Sequence, residues 1–340
     1  MKKLFLFLIF FLIGIGLFLW VVKFVGWQEI KNSFLVFTGW QGLIILFLSA
    51  LIILVGTWKW KEILKGENAD VPFKDLFGVY LAGFSIMYLL PMMIFGGEIF
   101  RGYILKKRNS LAWPKGIASS IIDRILDWTI ILIIIFLGTI SFLFTIGLPS
   151  KRMGIIFGGT FLFFLAAISF FYFKTFKRES IAKLFIKFFN HKYSNKGPFE
   201  IEREIFTFFK LRKAAMWKSF FLSFLGGAIS FLRAWLLINF LGKTIGFSPS
   251  LSILGFHYLA GILPIPASIG IQETAQVFVF NSLGLKAETG TVFTMIIRGA
   301  ELIFAFLGIF ILFRLGFKLL ENSFSQRGVN RIKEAGNNNS

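Results

Sequence analysis

The chain has 340 residues, of which 56% are hydrophobic and 16% charged, with a formal net charge of +20 and a mean hydropathy of +0.76. Soluble domains are roughly 45–50% apolar and about 25% charged, so this composition describes an all-α polytopic membrane protein, and no zinc-finger, RNA-binding or basic-helix pattern supports nucleic acid as the partner of the basic residues. With no cysteine and only His191 and His257, a disulfide scaffold, a thiol nucleophile and a thiolate or histidine-rich metal centre are excluded, and no cofactor is expected.

A bilayer core asks for about 20 apolar residues per crossing helix. Leu4–Val22 meets this and, lacking a small-residue cleavage site after it, reads as an uncleaved first span. Gly42–Trp58 is the second, with Trp40, Trp58 and Trp60 as interfacial aromatics. Leu76–Phe95 is interrupted by Pro91 and Gly96-Gly97, and the segment Glu98–Arg108 after it is too short to cross. Ile117–Gly147 and Gly154–Phe173 are two further spans. The loop 174–213 is basic and amphipathic, and predicts two helices lying on the inner leaflet. Ala214–Leu241 is the fifth full span. Leu251–Leu263 is broken by Pro264-Ile265-Pro266-Ala267-Ser268-Ile269-Gly270 and followed by the short Ile271–Leu283. Thr289–Phe313 is the sixth, and residues 322–340 read as a disordered cytoplasmic tail within a single membrane domain, 1–321.

Non-helical backbone at membrane depth is tolerated only where it is buried in protein or lines a cavity. The two interrupted stretches are therefore expected to be re-entrant broken helices. Six full spans then return both termini to the cytoplasm, placing 28 basic residues inside, 6 outside and Arg124, Arg233 and Arg298 within spans. Letting Leu76–Phe95 cross would move two basic clusters outside, against the positive-inside rule. Eight ordinary kinked spans are the competing reading.

The interrupted stretches also match in content. Pro91, Gly97 and Glu98 are followed by Arg124 and Asp127; Pro264, Gly270 and Glu273 are followed by Arg298 and Glu301. Entering from opposite sides, they form an inverted repeat with halves at about 42–147 and 214–315, the arrangement that builds a midplane site in transporters. An ionisable side chain inside the bilayer is by default a functional hypothesis. The candidate substrate site is accordingly Gly96, Gly97, Glu98, Arg101, Asp123, Arg124, Asp127, Ser268, Gly270, Glu273, Arg298 and Glu301. Each Arg is expected to reach the acid three residues on, with cross-repeat pairs, Glu98 to Arg298 and Glu273 to Arg124, also permitted. Free N–H groups at the glycines would favour an anion, and the arginines would favour phosphate. Arg233 reads as a snorkelling or packing residue. The plainer alternative is that all these charges only pin helices together.

The ordered set Gly96-Gly97-Glu98-x-x-Arg101, Lys106-Lys107, Asp123-Arg124, then Pro264-x-Pro-x-Ser268-x-Gly270-x-x-Glu273 and Arg298 resembles the lysylphosphatidylglycerol synthase transmembrane-region family, a flippase-like integral membrane domain, over about residues 5–315. That resemblance implies lipid translocation: an anionic or lysyl-modified phospholipid, or a phosphate-linked glycolipid, moved between leaflets of a prokaryotic cell membrane. It implies no aminoacyl transfer by this chain, since about 25 residues follow the last span. With no P-loop, ATP use is not expected. A membrane enzyme acting on a lipid phosphate and an anchor for a separately encoded transferase are the competing functions, and a second copy of the chain is a further candidate partner.

Overall fold

A computed structural model describes residues 39–89, 96–109, 111–147, 197–210, 213–263, 265 and 268–337, with scattered positions in 19–31 and 158–180 and side chains as far as Leu315. The described residues are helical, without strands. The expected spans Leu4–Val22 and Gly154–Phe173, the first loop helix, Pro91, Pro264, Pro266 and Ala267 lie wholly or mostly outside them.

The first segment comprises α1 (Gly39–Gly66), α2 (Phe73–Leu89), α3 (Gly96–Asn109) and α4 (Trp113–Ile146); α5 (Gly197–Phe208) follows. The second comprises α6 (Ala214–Phe240), α7 (Phe247–Gly261), α8 (Ile271–Ser282) and α9 (Ala287–Asn337). Each segment runs long, short, short, long. The four long helices, α9 counted to Leu315, are apolar and long enough to cross a bilayer. At 17, 14, 15 and 12 residues, α2, α3, α7 and α8 fall short of that length.

Local sequence explains the boundaries. Pro114 sits in the first turn of α4, where its missing N–H costs nothing. Gly147 (φ 87°) ends α4 and donates to the Leu143 carbonyl, and Gly242 and Gly284 adopt positive φ after α6 and α8. α9 runs on to Asn337, through the stretch expected to be a disordered tail.

Packing pairs the segments crosswise. α1 lies along α6, α4 along α7, and α2 along α9, while α2 packs on α3 and α7 on α8 within each segment. Every one of these contacts has its equivalent when the two segments are exchanged. The α4–α7 crossing is close because Gly138 and Gly255 face each other: a Cβ on Gly138 would come within 2.6 Å of the Leu251 carbonyl oxygen. At the matching α2–α9 crossing, Gly308 faces Leu81 and Ser85, and Ser85 Oγ donates to the Ala305 carbonyl at 2.7 Å.

The outer helix faces carry bare apolar side chains, among them Phe47, Phe144, Phe221, Phe306 and Phe310, each more than 60% exposed. Such a surface is stable only in an apolar surround. α5 departs from expectation. Its apolar face does not lie free for a leaflet: Ile205 and Phe208 are buried with Ile63, Ile122 and Leu126, docking α5 on α4 and the end of α1.

Candidate functional site

Charged side chains gather where the helices cross. In the first segment, α1 brings Lys59, fully buried, to the Asp123 carboxylate on α4 at 2.9 Å and to Asp127 one turn on. Its ammonium also donates to the Asp123 carbonyl at 3.2 Å. Arg101 on α3 binds the other Asp123 oxygen at 2.7 Å, its guanidinium 4.1 Å from the Tyr80 ring centre and 5.2 Å from that of Trp60. Gly83 makes room for it; a Cβ there would sit 2.7 Å from Arg101 Nε. Glu98, in the first turn of α3, accepts from Arg124 Nε on α4 at 2.7 Å, while Met87 Sδ lies against the Arg124 Nη2. Gly96 and Gly97 open α3, and Gly97 lets it approach the Gly83 carbonyl.

The second segment repeats the theme. Arg298 on α9 forks onto Glu273 of α8, with Nη2 to Oε2 at 2.8 Å, and reaches the Ser268 carbonyl at 3.2 Å. Glu273 Oε2 also accepts from the Gly270 N–H at 2.8 Å, capping its own helix. Arg233 on α6 pairs with Glu301 at 3.2 Å and donates to Ser49 of α1 at 2.9 Å. Ser268 (φ 49°) and Gly270 (φ 81°) take left-handed backbone at this turn, the conformation glycine adopts without strain.

The charged residues expected at the site are drawn into ion pairs within each segment, but the pairing differs from expectation. Arg124 and Arg298 each hold the glutamate of their own segment. The acids three residues after them go elsewhere, Asp127 to Lys59 and Glu301 to Arg233. Arg233 is thus a buried partner and no snorkelling residue. Lys59 and Arg101, counted among the cytoplasmic charges, are buried. The N–H of Gly270 is occupied by Glu273, which removes it from any anion.

Lys59 was missed as a site residue, and a signal for it exists. Lys59 precedes Asp127 by 68 positions, and Arg233 precedes Glu301 by 68. Ser49 stands ten residues before Lys59 and Ser223 ten before Arg233. The serines cross over: Ser223 donates to Asp127 at 3.4 Å, and Ser49 accepts from Arg233. These two contacts tie the clusters together across the packing of α1 on α6 and α6 on α4. Not all of this network is closed: the side chain of Asp127 is 40% exposed and that of Arg124 25%.

Four long apolar helices, a lipid-compatible exterior and a paired ionic interior define a polytopic integral membrane protein. The model of the lysylphosphatidylglycerol synthase transmembrane region matches residues 7–308, and the chain belongs to that family. It is similar to the UPF0104 membrane protein MJ1595 of Methanocaldococcus jannaschii, 26% identical over 295 residues, covering 82% of this chain and 85% of the relative. It is also similar to the UPF0104 membrane protein PH1989 of Pyrococcus horikoshii, 26% identical over 275 residues, covering 75% and 81%.

Proposed function

We propose that this protein moves a lipid bearing a phosphate headgroup between the leaflets of a prokaryotic cell membrane, with both termini in the cytoplasm and the two segments inverted relative to each other. Such a lipid is an anionic or lysyl-modified phospholipid or a phosphate-linked glycolipid. The reading rests on one observation: an ionic network is kept inside crossing helices at a cost of several kcal/mol per charge, yet Arg124 and Asp127 remain partly open. A guanidinium so placed binds phosphate oxygens through parallel hydrogen bonds, and the acyl chains stay in the bilayer.

The test is leaflet-resolved movement of a fluorescent phosphatidylglycerol in vesicles containing the purified protein. Wild type is expected to equilibrate the probe, and Arg124→Ala to slow it at least tenfold while remaining folded. A folded, fully active Arg124→Ala variant removes the proposed site. Chemical conversion of the probe would instead establish an enzyme, and neither movement nor conversion would favour an anchor for a separate transferase.

A further inference from the structure

The geometry points to Glu98 as the seat of a proton that crosses with an anionic headgroup. This rests on the transport reading above and adds its coupling ion. Among the described residues, the ion pairs of the network use five cations, Lys59, Arg101, Arg124, Arg233 and Arg298, against an equal number of carboxylates. The network is neutral as it stands. A monoanionic phosphate bound by it would leave one uncompensated negative charge in a medium of low dielectric, where an unpaired ion costs several kcal/mol. One proton on one carboxylate removes that charge.

Of the two matching arginine–glutamate pairs, one leaves a carboxylate oxygen unengaged. Glu273 has both oxygens engaged, by the Arg298 fork and by the Gly270 N–H. Glu98 uses Oε1 alone, for both of its contacts with Arg124, while among the described residues Oε2 is buried with no hydrogen-bond partner; Asp123 Oδ1, the other carboxylate oxygen of the network without a hydrogen bond, faces the Lys59 ammonium at 2.9 Å. Its side chain is 5% exposed. A buried, unpartnered carboxylate oxygen is expensive, and it is the atom at which an added proton meets no competing donor. Among the described residues, the charged and titratable groups next to Glu98 or one contact away are Arg124 and Asp123 from α4, Arg101 from its own helix, Lys59 from α1 behind Asp123, and the neutral Tyr80 from α2 under Arg101.

The step balances. A proton from the medium adds to Glu98 Oε2, and Glu98 becomes neutral. Arg124, the most exposed arginine of the network, turns its Nε and Nη2 from Oε1 to two oxygens of the phosphate. On the far side the phosphate leaves, the proton leaves, and Arg124 returns to Glu98. One proton accompanies one monoanion, and no net charge crosses.

The experiment uses the full chain in phosphatidylcholine vesicles with fluorescent phosphatidylglycerol and an imposed pH difference, acidic outside. Wild type is expected to accumulate the probe in the inner leaflet by up to about tenfold per pH unit, the ratio that one coupled proton sets. Glu98→Gln should give a distribution indifferent to the gradient, whatever its rate, while Glu98→Asp should restore accumulation. A second measurement needs no variant: solubilised wild type in weak buffer should take up protons when short-chain phosphatidylglycerol is added. Wild-type movement that ignores the gradient, accumulation by Glu98→Gln, or binding without proton uptake each overturns proton coupling and leaves transport standing. No movement of the probe by wild type overturns the transport reading itself.

Discussion

At the scale of single residues, the Glu273–Arg298 fork is a closed lock and the Arg233–Glu301 pair a bridge between helices. Truncating one member of a buried pair leaves a lone charge, at a cost of about 3–5 kcal/mol, whereas replacing both with apolar groups is often near neutral. Arg233→Met should therefore lower the thermal midpoint in detergent sharply, and Arg233→Met with Glu301→Leu should recover most of the loss. Equal losses for the single and double variants would refute the pairing, which a double-mutant cycle measures directly. The rare charges of the interior were legible in the sequence because apolar spans make each one conspicuous. Their partners were not. Lys59 and Asp127 are 68 residues apart, and only the packing of α1 on α4 joins them. Lys59 also read as a cytoplasmic charge because the expected span stopped at Trp58, two turns before α1 ends at Gly66.

At the scale of elements, the short helices were predictable from Pro and Gly interruptions, and the long ones from unbroken apolar runs. The docking of α5 was not, since an amphipathic stripe looks the same whether it faces lipid or protein. At that dock, Glu67 follows α1, buried, with Lys213 Nζ at 3.4 Å and Glu204 of α5 hydrogen-bonded to it. Burial, and then the Glu204 hydrogen bond, push the Glu67 carboxyl up from 4.5 to about 7. The folded chain thus holds a proton that the unfolded chain releases between those values, so this contact is strongest below about pH 4.5 and weakens as pH rises through 7. The difference in stability between wild type and Glu67→Gln should shift in favour of Glu67→Gln from pH 5 to pH 8; a constant difference would contradict the protonated contact. The α4–α7 crossing makes a second demand. Gly138→Ala places a methyl group against backbone, the Leu251 carbonyl, so it should destabilise by about 1–3 kcal/mol, seen as a lowered unfolding midpoint.

At the scale of the whole molecule, the absence of cysteine makes sidedness measurable with single introduced thiols. Lys210→Cys after α5 should react with an impermeant maleimide only from the cytoplasmic side, and Thr244→Cys between α6 and α7 only from the opposite side. Labelling of both from one side would refute the orientation drawn from the basic residues. The crossed serines carry a consequence for biogenesis. Ser49 serves the ion pair of the second segment and Ser223 that of the first, so neither pair is complete until both segments have met. A nascent chain halted after α4 would hold Asp127 without its serine, and α6 would enter the bilayer with Arg233 unmatched until α9 arrives. A chain truncated before α9 therefore keeps Arg233 within α6 without its carboxylate.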